Sequence, residues 1–194
     1  MTFVNNAVRE INCKIVYYGA GLCGKTTNLQ WIFEQMGRQN GERMLSLSTE
    51  HDRTLFFDFL PVDLGKVRDF KIRLHLYTVP GQASYHASRK LILRGVDGVV
   101  FVADSGAERM DANIEAIEDL ERNLREVNED FLRMPYVLQL NKRDLPDALP
   151  VEEMKAQLIR KSEPVLEAVA NQGVGVLETL KGIGRQVLAK AKKG

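Results

Sequence analysis

Hydrophobic and polar positions along the chain follow two periods that alternate with each other, one typical of strands and one typical of helices. Strand patterns cover Ile11–Tyr18, Phe70–Val79, Asp97–Asp104, Pro135–Leu140 and Val165–Ala170. Helix patterns cover Lys25–Met36, His86–Arg94, Arg109–Val127, Val151–Ile159 and Val174–Lys192. Because strands and helices alternate, the pattern predicts an α/β fold with a mostly parallel sheet.

Two of these strands differ in how they are covered. The apolar side chains of Phe70–Val79 fall on every second residue, which indicates a strand buried on one face. Asp97–Asp104 is a nearly continuous apolar run, as in a central parallel strand with helices on both faces. Ligands bind at the carboxyl ends of parallel strands, so the loops that follow these strands are expected to carry the chemistry.

Composition and charge fit one ordinary globular domain. The chain has 194 residues, 44% hydrophobic and 27% charged, so residues 1–194 are expected to form a single domain. The formal net charge of +1 gives no basic excess, and no nucleic-acid partner is expected. Cys13 and Cys23 form no disulfide framework and are interpreted as free thiols of a reducing cytosol.

Neither end of the sequence carries a familiar targeting signal. The opening MTFVNNAVRE has no apolar signal-peptide core, and Thr2 stands where myristoylation needs glycine. The closing LAKAKKG has no cysteine for prenylation, and no apolar stretch reaches the roughly 18 residues of a membrane-spanning helix. We therefore expect a cytoplasmic protein with no membrane insertion and no lipid anchor.

A glycine-rich loop joins the first strand to the first helix and matches G-x-x-x-x-G-K-[ST]. Glycines let backbone N–H groups turn toward phosphate oxygens, and the following helix N-terminus adds positive partial charge. Lys25 supplies a mobile cation for the outer phosphates, and Thr26 a hydroxyl ligand for Mg²⁺. The strand–loop–helix context favours a phosphate-binding loop over a plain glycine-rich turn. Its residues are Gly19, Ala20, Gly21, Leu22, Cys23, Gly24, Lys25, Thr26 and, just beyond the motif, Thr27.

A second motif, N-K-x-D at residues 141–144, follows the strand Pro135–Leu140. The Asp144 carboxylate can accept hydrogen bonds from both N1–H and the N2 amine of guanine, each worth about 1.5–3 kcal/mol. Adenine offers neither donor, and a site built on such bonds rejects ligands lacking them by as much as roughly 10⁴-fold. Lys142 can cover the base plane with its methylene stem, and Asn141 can tie this loop to the phosphate loop. Following a phosphate loop, the motif favours GTP/GDP binding over a polar loop with a capping aspartate.

The loop after the last predicted strand is a weaker candidate for contact with the base. Val169 and Ala170 end the segment EAVA, in the place where small GTPases carry a short base-binding segment. The Ala170 N–H can donate to the guanine O6 from there. The same residues fit the plain end of a β-strand equally well.

The alternating strand ends in TVPGQ at residues 78–82, where GTP-hydrolysing proteins carry D-x-x-G-Q. By that template, Gly81 gives its N–H to the γ-phosphate and Gln82 orients the attacking water. Thr78 replaces the aspartate, and a hydroxyl is a weaker partner than a carboxylate for Mg²⁺-bound water. We expect a nearby acid, Asp52 or Asp58, to substitute in part.

The segment Ser48–Leu60 is interpreted as a loop that leads into the sheet edge. A threonine there must reach Mg²⁺ if the γ-phosphate is to be sensed, and Thr54 is the best placed. Arg53 is either an internal arginine finger, worth about 10³–10⁵ in rate, or a solvated surface arginine. The run Phe56–Leu60 belongs to the core or to a partner surface exposed in one nucleotide state. Poor alternation over Thr54–Leu60 predicts a weakly specified strand register.

The alanine of the phosphate loop bears on the expected rate. In small GTPases a methyl near this part of the loop faces the γ-phosphate, and the Ala20 methyl is expected to crowd the finger or the glutamine. The sequence therefore predicts slow hydrolysis of GTP by the protein alone.

Stretches spread over most of the chain resemble bacterial Ras-like small GTPases of gliding motility and cell polarity. These stretches are Arg9–Gly19, Arg53–Pro61, Leu76–Gln82, Ser88–Gly98 and Asn141–Pro150. The resemblance implies a P-loop NTPase of the Ras-like fold: a six-stranded, mostly parallel sheet with one antiparallel edge strand and helices on both faces. Thr78 in place of aspartate is a trait of that family, whereas Ala20 stands where the family carries proline.

The same resemblance implies roles and partners. Gln82 and Arg53 serve hydrolysis, and Thr26 and Thr54 bind Mg²⁺. Members of the family cycle between a diffuse GDP form and a GTP form at a cell pole, and they act through polarity and motility effectors. A roadblock-type GTPase-activating protein shifts their switch strand so that finger and glutamine face the phosphate.

Two other functions remain open from the sequence alone. One is a scaffold that holds GTP without turning it over. The other is a metabolic P-loop kinase, although the chain has no long arginine-rich lid insertion of the kind such enzymes use.

Overall fold

A computed structural model describes residues 3–5, 8–37, 43–48, 54–67, 69–81 and 86–191. Within these ranges the strands are β1 Phe3–Asn5, β2 Glu10–Tyr18, β3 Leu45–Ser48, β4 Thr54–Val67, β5 Phe70–Thr78, β6 Gly98–Asp104, β7 Tyr136–Asn141 and β8 Val165–Glu167. The α-helices are α1 Lys25–Ile32, α2 His86–Leu93, α3 Met110–Glu126, α4 Val151–Leu158 and α5 Val176–Ala191. A π-helical turn, Phe33–Gly37, continues α1, and short 3₁₀ turns lie at Ala107–Arg109, Phe131–Arg133 and Ala170–Gln172.

The strands form one sheet in the order β3-β4-β5-β2-β6-β7-β8. Neighbours from β5 to β8 along this path are parallel, and β4 is antiparallel to β5. The path from β4 to β8 is thus the predicted six-stranded, mostly parallel sheet with one antiparallel pair, and the Ras-like fold is confirmed. Two short antiparallel strands extend it: β3 pairs with β4, and β1 pairs with the start of β2.

Helices cover both faces of the sheet and bury two apolar cores. On β2, Ile15 and Tyr17 face the core that α1 and α5 close, while Val16 and Tyr18 face the core that α2, α3 and α4 close. Every residue of β6 is buried, as its continuous apolar run predicts. Doubly covered strands bring the loops at their carboxyl ends to one edge of the molecule.

Strand β5 has the predicted one-sided burial, with Ile72, Leu74 and Leu76 buried and the residues between them half-buried. Strand β4 was interpreted as part of a loop with poor alternation, and this expectation is wrong. Over residues 57–62 its burial alternates strictly, because Asp58 stands on the buried face beside Leu60. The hydrophobic pattern is hidden in the sequence by a carboxylate at a core-facing position.

The aromatic run on β4 is divided between the two faces of the strand. Leu60 is fully buried in the core closed by α1 and α5, whereas Phe57 and Phe59 are half-buried. Phe59 stacks on His75 with ring centroids 5.8 Å apart and contacts Tyr77 at 4.9 Å. The core assignment therefore holds fully for Leu60 and partly for the two phenylalanines.

Most remaining differences concern the ends of elements. The predicted strand Val165–Ala170 stops at Glu167, and a 3₁₀ turn takes its last residue. The predicted helix Lys25–Met36 changes to π-helical geometry after Ile32. Among the helices of the described ranges, none has the length and apolar character needed to cross a bilayer.

Candidate functional site

The loop between β2 and α1 has a backbone that only a few residue types adopt. Between Tyr18 and Lys25, the φ angles of Gly19, Leu22 and Gly24 are +145°, +64° and +103°. Glycine is required at the first position, because a Cβ there would lie 2.2 Å from a backbone oxygen of β6. The chain thus forms a tight loop that opens into a helix N-terminus, the arrangement that binds phosphate.

Lys25 lies against the inside of this loop. Its side chain is 6% exposed, and Nζ donates to the carbonyl oxygens of Gly19 at 3.0 Å and Ala20 at 2.6 Å. The thiol of Cys23 is 3.7 Å from the same nitrogen, and both cysteines are buried thiols outside any disulfide. The loop itself therefore holds the cation beside the backbone that the sequence assigns to phosphate.

Asn141 joins three loops at the end of β7. Its Nδ2 donates to the carbonyl of Cys23 at 2.8 Å, and its Oδ1 accepts from the N–H of Ala170 at 3.0 Å. The approach is so close that a Cβ on Gly24 would lie 2.2 Å from Asn141 Nδ2. One side chain thus ties the N-K-x-D loop to the phosphate loop, as the sequence predicts, and also to the loop after β8.

This arrangement changes the expected role of the Ala170 N–H. The sequence assigns that donor to the guanine O6, but in the structure it already has a protein acceptor in Asn141. The N–H groups of Ala168 and Val169 also bond to carbonyls, those of Leu140 and Val174. The difference arises because residue 170 begins a 3₁₀ turn under Asn141 instead of ending a strand.

The N-K-x-D loop, residues 141–144, is called the base loop below. Its other two motif residues differ in their surroundings. Asp144 is exposed, and its carboxylate makes no recorded hydrogen bond or ion pair within the described part of the chain. Lys142 has a φ of +64°, and its Nζ lies 2.6 Å from Oδ2 of Asp104, the buried last residue of β6. Anchoring the ammonium in this way extends the methylene stem along the loop, where it can lie over a base.

Asp104 and Arg109 extend this network back to the phosphate loop, and the sequence did not suggest either residue. Arg109 Nε lies 3.7 Å from the Asp104 carboxylate, and a terminal guanidinium nitrogen donates to the Gly21 carbonyl at 2.8 Å. A carboxylate at the carboxyl end of a predicted central strand was the only available signal. Both residues connect the base loop with the phosphate loop.

Asp58 supplies the carboxylate that Thr78 lacks. Its Oδ2 accepts hydrogen bonds from Thr26 Oγ1 at 2.5 Å and from Thr78 Oγ1 at 2.8 Å, and its N–H donates to Thr78 Oγ1 at 2.8 Å. The pairing of β4 with β5 places Asp58 opposite Thr78, one residue beyond the Phe59–Tyr77 pair. The side chain is fully buried. Of the two acids proposed from the sequence, Asp58 thus lies beside the phosphate-loop threonine.

These oxygen atoms fit Mg²⁺. A hydroxyl that gives its proton to a carboxylate keeps its oxygen lone pairs for a metal, and Mg²⁺ prefers oxygen ligands with retained water. Asp58 Oδ2 accepts the Thr26 proton in this way and so leaves the Thr26 oxygen available to a metal. In the described part of the chain, no three His, Cys, Asp or Glu side chains gather as a metal site. In the described residues, the oxygen atoms brought together here are those of Thr26, Thr78 and Asp58.

Gly81 lies directly on the phosphate loop. A Cβ on Gly81 would be 2.4 Å from the Cα and 2.5 Å from the nitrogen of Gly21, so glycine is required at this contact. Gly21 therefore faces the segment after β5. Ala20, which the sequence predicts to lie near the γ-phosphate, is 7% exposed. The steric effect on rate that the sequence assigns to the Ala20 methyl stays a prediction.

Four other residues were predicted from the sequence to act at the metal and the γ-phosphate. Arg53, Gln82 and Asp52 lie outside the described residues, and Thr54 is placed only as the first residue of β4, opposite Ser48. Of the predicted nucleotide-binding set, Leu22 is 64% exposed, Thr27 half-buried and Val169 8% exposed.

Comparison with known proteins identifies the family. A sequence profile of the ADP-ribosylation factor family matches residues 2–187. The mutual gliding-motility protein MglA of Myxococcus xanthus (strain DK1622) is 60% identical over 194 residues, 100% of each chain. ADP-ribosylation factor-like protein 4C of Homo sapiens is 28% identical over 147 residues, 72% of this chain and 73% of that protein.

The match agrees with the geometry. A phosphate loop, a base loop and a threonine–aspartate cluster meet at one edge of a Ras-like sheet, and the profile covers all of them. Neither a metabolic kinase nor a scaffold without turnover is the function of such a family member. The chain therefore belongs to the ADP-ribosylation factor family and is a Ras-like GTPase that hydrolyses GTP.

Proposed function

We propose that residues 1–194 form one G domain, a molecular switch that binds GTP or GDP with Mg²⁺ and regulates cell polarity and motility through partners. The observation that carries the proposal is the Asn141 side chain, which joins the base loop to the phosphate loop through Cys23 and to the last loop through Ala170. A ligand held by both loops must carry a base at one end and phosphates at the other. Guanine is the base that the exposed Asp144 carboxylate selects.

The phosphate end is bound by backbone and by Lys25. N–H groups of the loop Gly19–Thr27 surround the phosphates, and the α1 N-terminus adds its partial charge. Lys25, already held by two loop carbonyls, adds the cation for the outer phosphates. At the base end, Lys142 covers the ring, and Val169 and Ala170 close the pocket from the β8 side.

The metal end is organised by Thr26, Thr54 and Asp58. Thr26 and Thr54 would hold Mg²⁺ through their hydroxyl oxygens, and Asp58 orients the Thr26 hydroxyl. When bound, the ion would supply positive charge that offsets the phosphate charge during phosphoryl transfer. Thr78 supports the arrangement by donating its hydroxyl proton to Asp58.

Hydrolysis requires Gln82 and Arg53. Gln82 orients the attacking water beside Gly81, whose N–H binds the γ-phosphate. Arg53 neutralises the developing charge, an effect of about 10³–10⁵ in rate when such a finger is in place. Intrinsic turnover is slow because Arg53 and Gln82 reach the phosphate only when a partner moves the switch strand, which is β4 in this chain.

The partners are those of a polarity switch. The MglA protein with 60% identity is named for gliding motility, and the same process is proposed here. The activator is a roadblock-type, MglB-like GTPase-activating protein, and effectors recognise the GTP form, which a cytoplasmic pool supplies to a cell pole. No nucleic-acid partner is proposed.

The test is single-turnover GTP hydrolysis with and without a roadblock-type protein. Activator should raise the rate of the natural chain, and Gln82→Ala and Arg53→Ala should each remove most of that rise while GDP affinity is unchanged. The matched control is Gln157→Ala, an exposed glutamine on α4, which should respond as the natural chain does. Full stimulation of both variants would contradict these two assignments.

A further inference from the structure

A buried polar cluster lies between the phosphate loop, α2 and α3, and GTP hydrolysis as described above makes no use of it. Its carboxylate is Asp119 on α3, which is 8% exposed. Tyr18, the last residue before the phosphate loop, donates its hydroxyl proton to Asp119 Oδ2 at 2.5 Å. Arg89 on α2 donates to the same oxygen, and Asn123 Nδ2 donates to it at 2.9 Å. Tyr18, Arg89, Asp119 and Asn123 are called the Asp119 cluster below.

Arg89 connects this cluster to the segment that senses the γ-phosphate. While one terminal nitrogen bonds to Asp119, Nε donates to the carbonyl of Pro80 at 3.0 Å. The guanidinium is 7% exposed and planar, so its two bonds have a fixed relative direction. Pro80 is the neighbour of Gly81, which lies on Gly21, and is two residues from Gln82.

The contacts on either side of Pro80 indicate that the position of this residue depends on Arg89. Strand β5 is bound to β2 as far as Val79, whose N–H donates to the Tyr17 carbonyl at 3.3 Å. Beyond Val79, a side chain of the described residues, that of Arg89, donates a hydrogen bond to the Pro80 carbonyl. A cavity of about 540 Å³ lies beside this point, lined among others by Gly21, Gly81 and Asp119. The segment therefore has room to move if Arg89 releases it.

Electrostatics keep the cluster charged. Burial raises the pKa of the Asp119 carboxyl, but hydrogen bonds from Tyr18, Arg122 and Arg89 outweigh burial and leave that pKa lowered. Burial, and then the bond to Asp119, raise the pKa of the Tyr18 hydroxyl. Tyr18 therefore stays a proton donor and Asp119 an acceptor at neutral pH.

We propose that Arg89 is a positioning residue for GTP hydrolysis. By fastening the Pro80 carbonyl to Asp119 on α3, it holds Gly81, the residue that precedes Gln82 in the sequence, on the phosphate loop. The inference rests on the proposed role of Gln82. It adds a connection from α3 to the reacting phosphate, so that any partner that displaces α3 or α2 changes the hydrolysis rate.

The variant that tests the proposal is Arg89→Lys. Lysine keeps a charge opposite Asp119, but its single ammonium cannot reproduce the forked pair of bonds. Displacement of a catalytic group by about 1 Å costs up to roughly 10²-fold in rate. We expect single-turnover hydrolysis to fall about 10–100-fold, with the activating protein present, while GDP dissociation and the thermal midpoint stay close to those of the natural chain.

Arg122→Ala is the matched control. Arg122 bonds to the other oxygen of the same carboxylate, Oδ1, at 3.0 Å, is 57% exposed and makes no recorded contact with Pro80. Its removal should leave the rate within about twofold, since exposed ion pairs contribute little. If the cluster had a purely structural role, Arg89→Lys would hydrolyse GTP as fast as the natural chain. Any loss of rate would then accompany a loss of stability.

A second variant keeps the test decisive if Arg89→Lys does not fold. Arg89→Met keeps a side chain of similar length while Asp119 retains its hydrogen bonds from Tyr18, Asn123 and Arg122, so this variant should fold yet hydrolyse slowly. Hydrolysis within twofold of the natural chain in either folded variant, or GDP release accelerated as much as hydrolysis is slowed, overturns the proposal. Failure of the natural chain to hydrolyse GTP with its activator would instead count against the proposed function.

Discussion

At this site, a carboxylate that the D-x-x-G-Q pattern places on one strand is supplied by a residue of the neighbouring strand. Thr78 occupies the usual aspartate position, and the carboxylate comes instead from Asp58 on the antiparallel neighbour strand. The two positions are opposite each other across the β4–β5 pair, so the carboxylate still reaches Thr26. The exchange makes the proposed metal site dependent on the register of β4, the strand that the activator is proposed to move.

The first prediction concerns Asp58→Asn. The amide keeps the shape but loses the charge that orients Thr26 and metal-bound water, and such changes typically cost about 10–100-fold in metal affinity. A Mg²⁺ titration of GDP release should show this loss, with release at saturating Mg²⁺ affected less. Asp63→Asn on the same strand, which pairs with Lys71 at 2.7 Å, is the control and should leave the titration unchanged. Unchanged Mg²⁺ affinity in both Asp58 and Asp52 variants would contradict the substitution of a nearby acid for aspartate at position 78.

The site residues that could be predicted from the sequence are those in contiguous motifs. Lys25, Asn141 and Asp144 are identified by spacing alone, because a loop that cradles phosphate or reads a base needs fixed neighbours. Asp104, Arg109 and Arg89 could not be identified, since each acts through residues far away in the sequence. Asp58 was one of two candidates, and strand pairing places it opposite Thr78, whereas Asp52 lies outside the described residues.

At the scale of elements, the two sides of the sheet differ in how clearly the sequence encodes them. Strands β5 and β6 were predictable because their faces are purely apolar or strictly alternating. Strand β4 was not, since it carries Asp58 on its buried face and an irregular register between Asp63 and Lys66. The element with the poorest sequence signal is the one that carries Asp58, the carboxylate bonded to Thr26 and Thr78.

The elements that hold the two halves of the nucleotide site are joined inside the core as well as at the surface. Gln139 on β7 exchanges two amide hydrogen bonds with Asn28 on α1, at 2.9 and 3.0 Å, and donates to Thr179 on α5 at 2.9 Å. All three residues are fully buried. The helix after the phosphate loop is therefore fixed to the strand that leads to the base loop.

The second prediction is that Gln139→Leu lowers the free energy of unfolding by about 1–3 kcal/mol, because Asn28 loses its amide partner in a buried position. Urea denaturation measures the change. Gln157→Leu, an exposed glutamine on α4, should stay within about 0.5 kcal/mol of the natural chain. Equal midpoints for the two variants would show that the buried trio contributes nothing to stability.

At the scale of the whole molecule, a Ras-like sheet with a core on each face brings the phosphate loop, the base loop and the Thr26–Asp58 pair together at one edge. The α2–α3 side adds the Asp119 cluster, whose charge links folding to pH. The folded-state pKa of Asp119 is lowered, so the folded chain binds fewer protons than the unfolded chain in acid. This contribution to stability is present above the ordinary aspartate pKa of about 3.9 and is lost as pH falls through the folded-state value.

The third prediction follows from that linkage. Asp119→Asn should be less stable than the natural chain at pH 7, and the gap should narrow below about pH 4 as the natural carboxylate becomes protonated. Chemical denaturation at both pH values measures it. Asp147→Asn, at an exposed position, should differ from the natural chain by no more than about 0.5 kcal/mol at either pH. A gap that widens in acid would contradict the lowered pKa of Asp119.

The most direct test of the account is nucleotide selection by ligand-free protein, in which unlabelled GTP and ATP compete against fluorescent GDP. The account predicts that GTP displaces the probe with micromolar or tighter affinity, that ATP fails at roughly 10³-fold higher concentration, and that Asp144→Ala abolishes the preference. Micromolar or tighter binding of ATP together with no binding of GTP would contradict it.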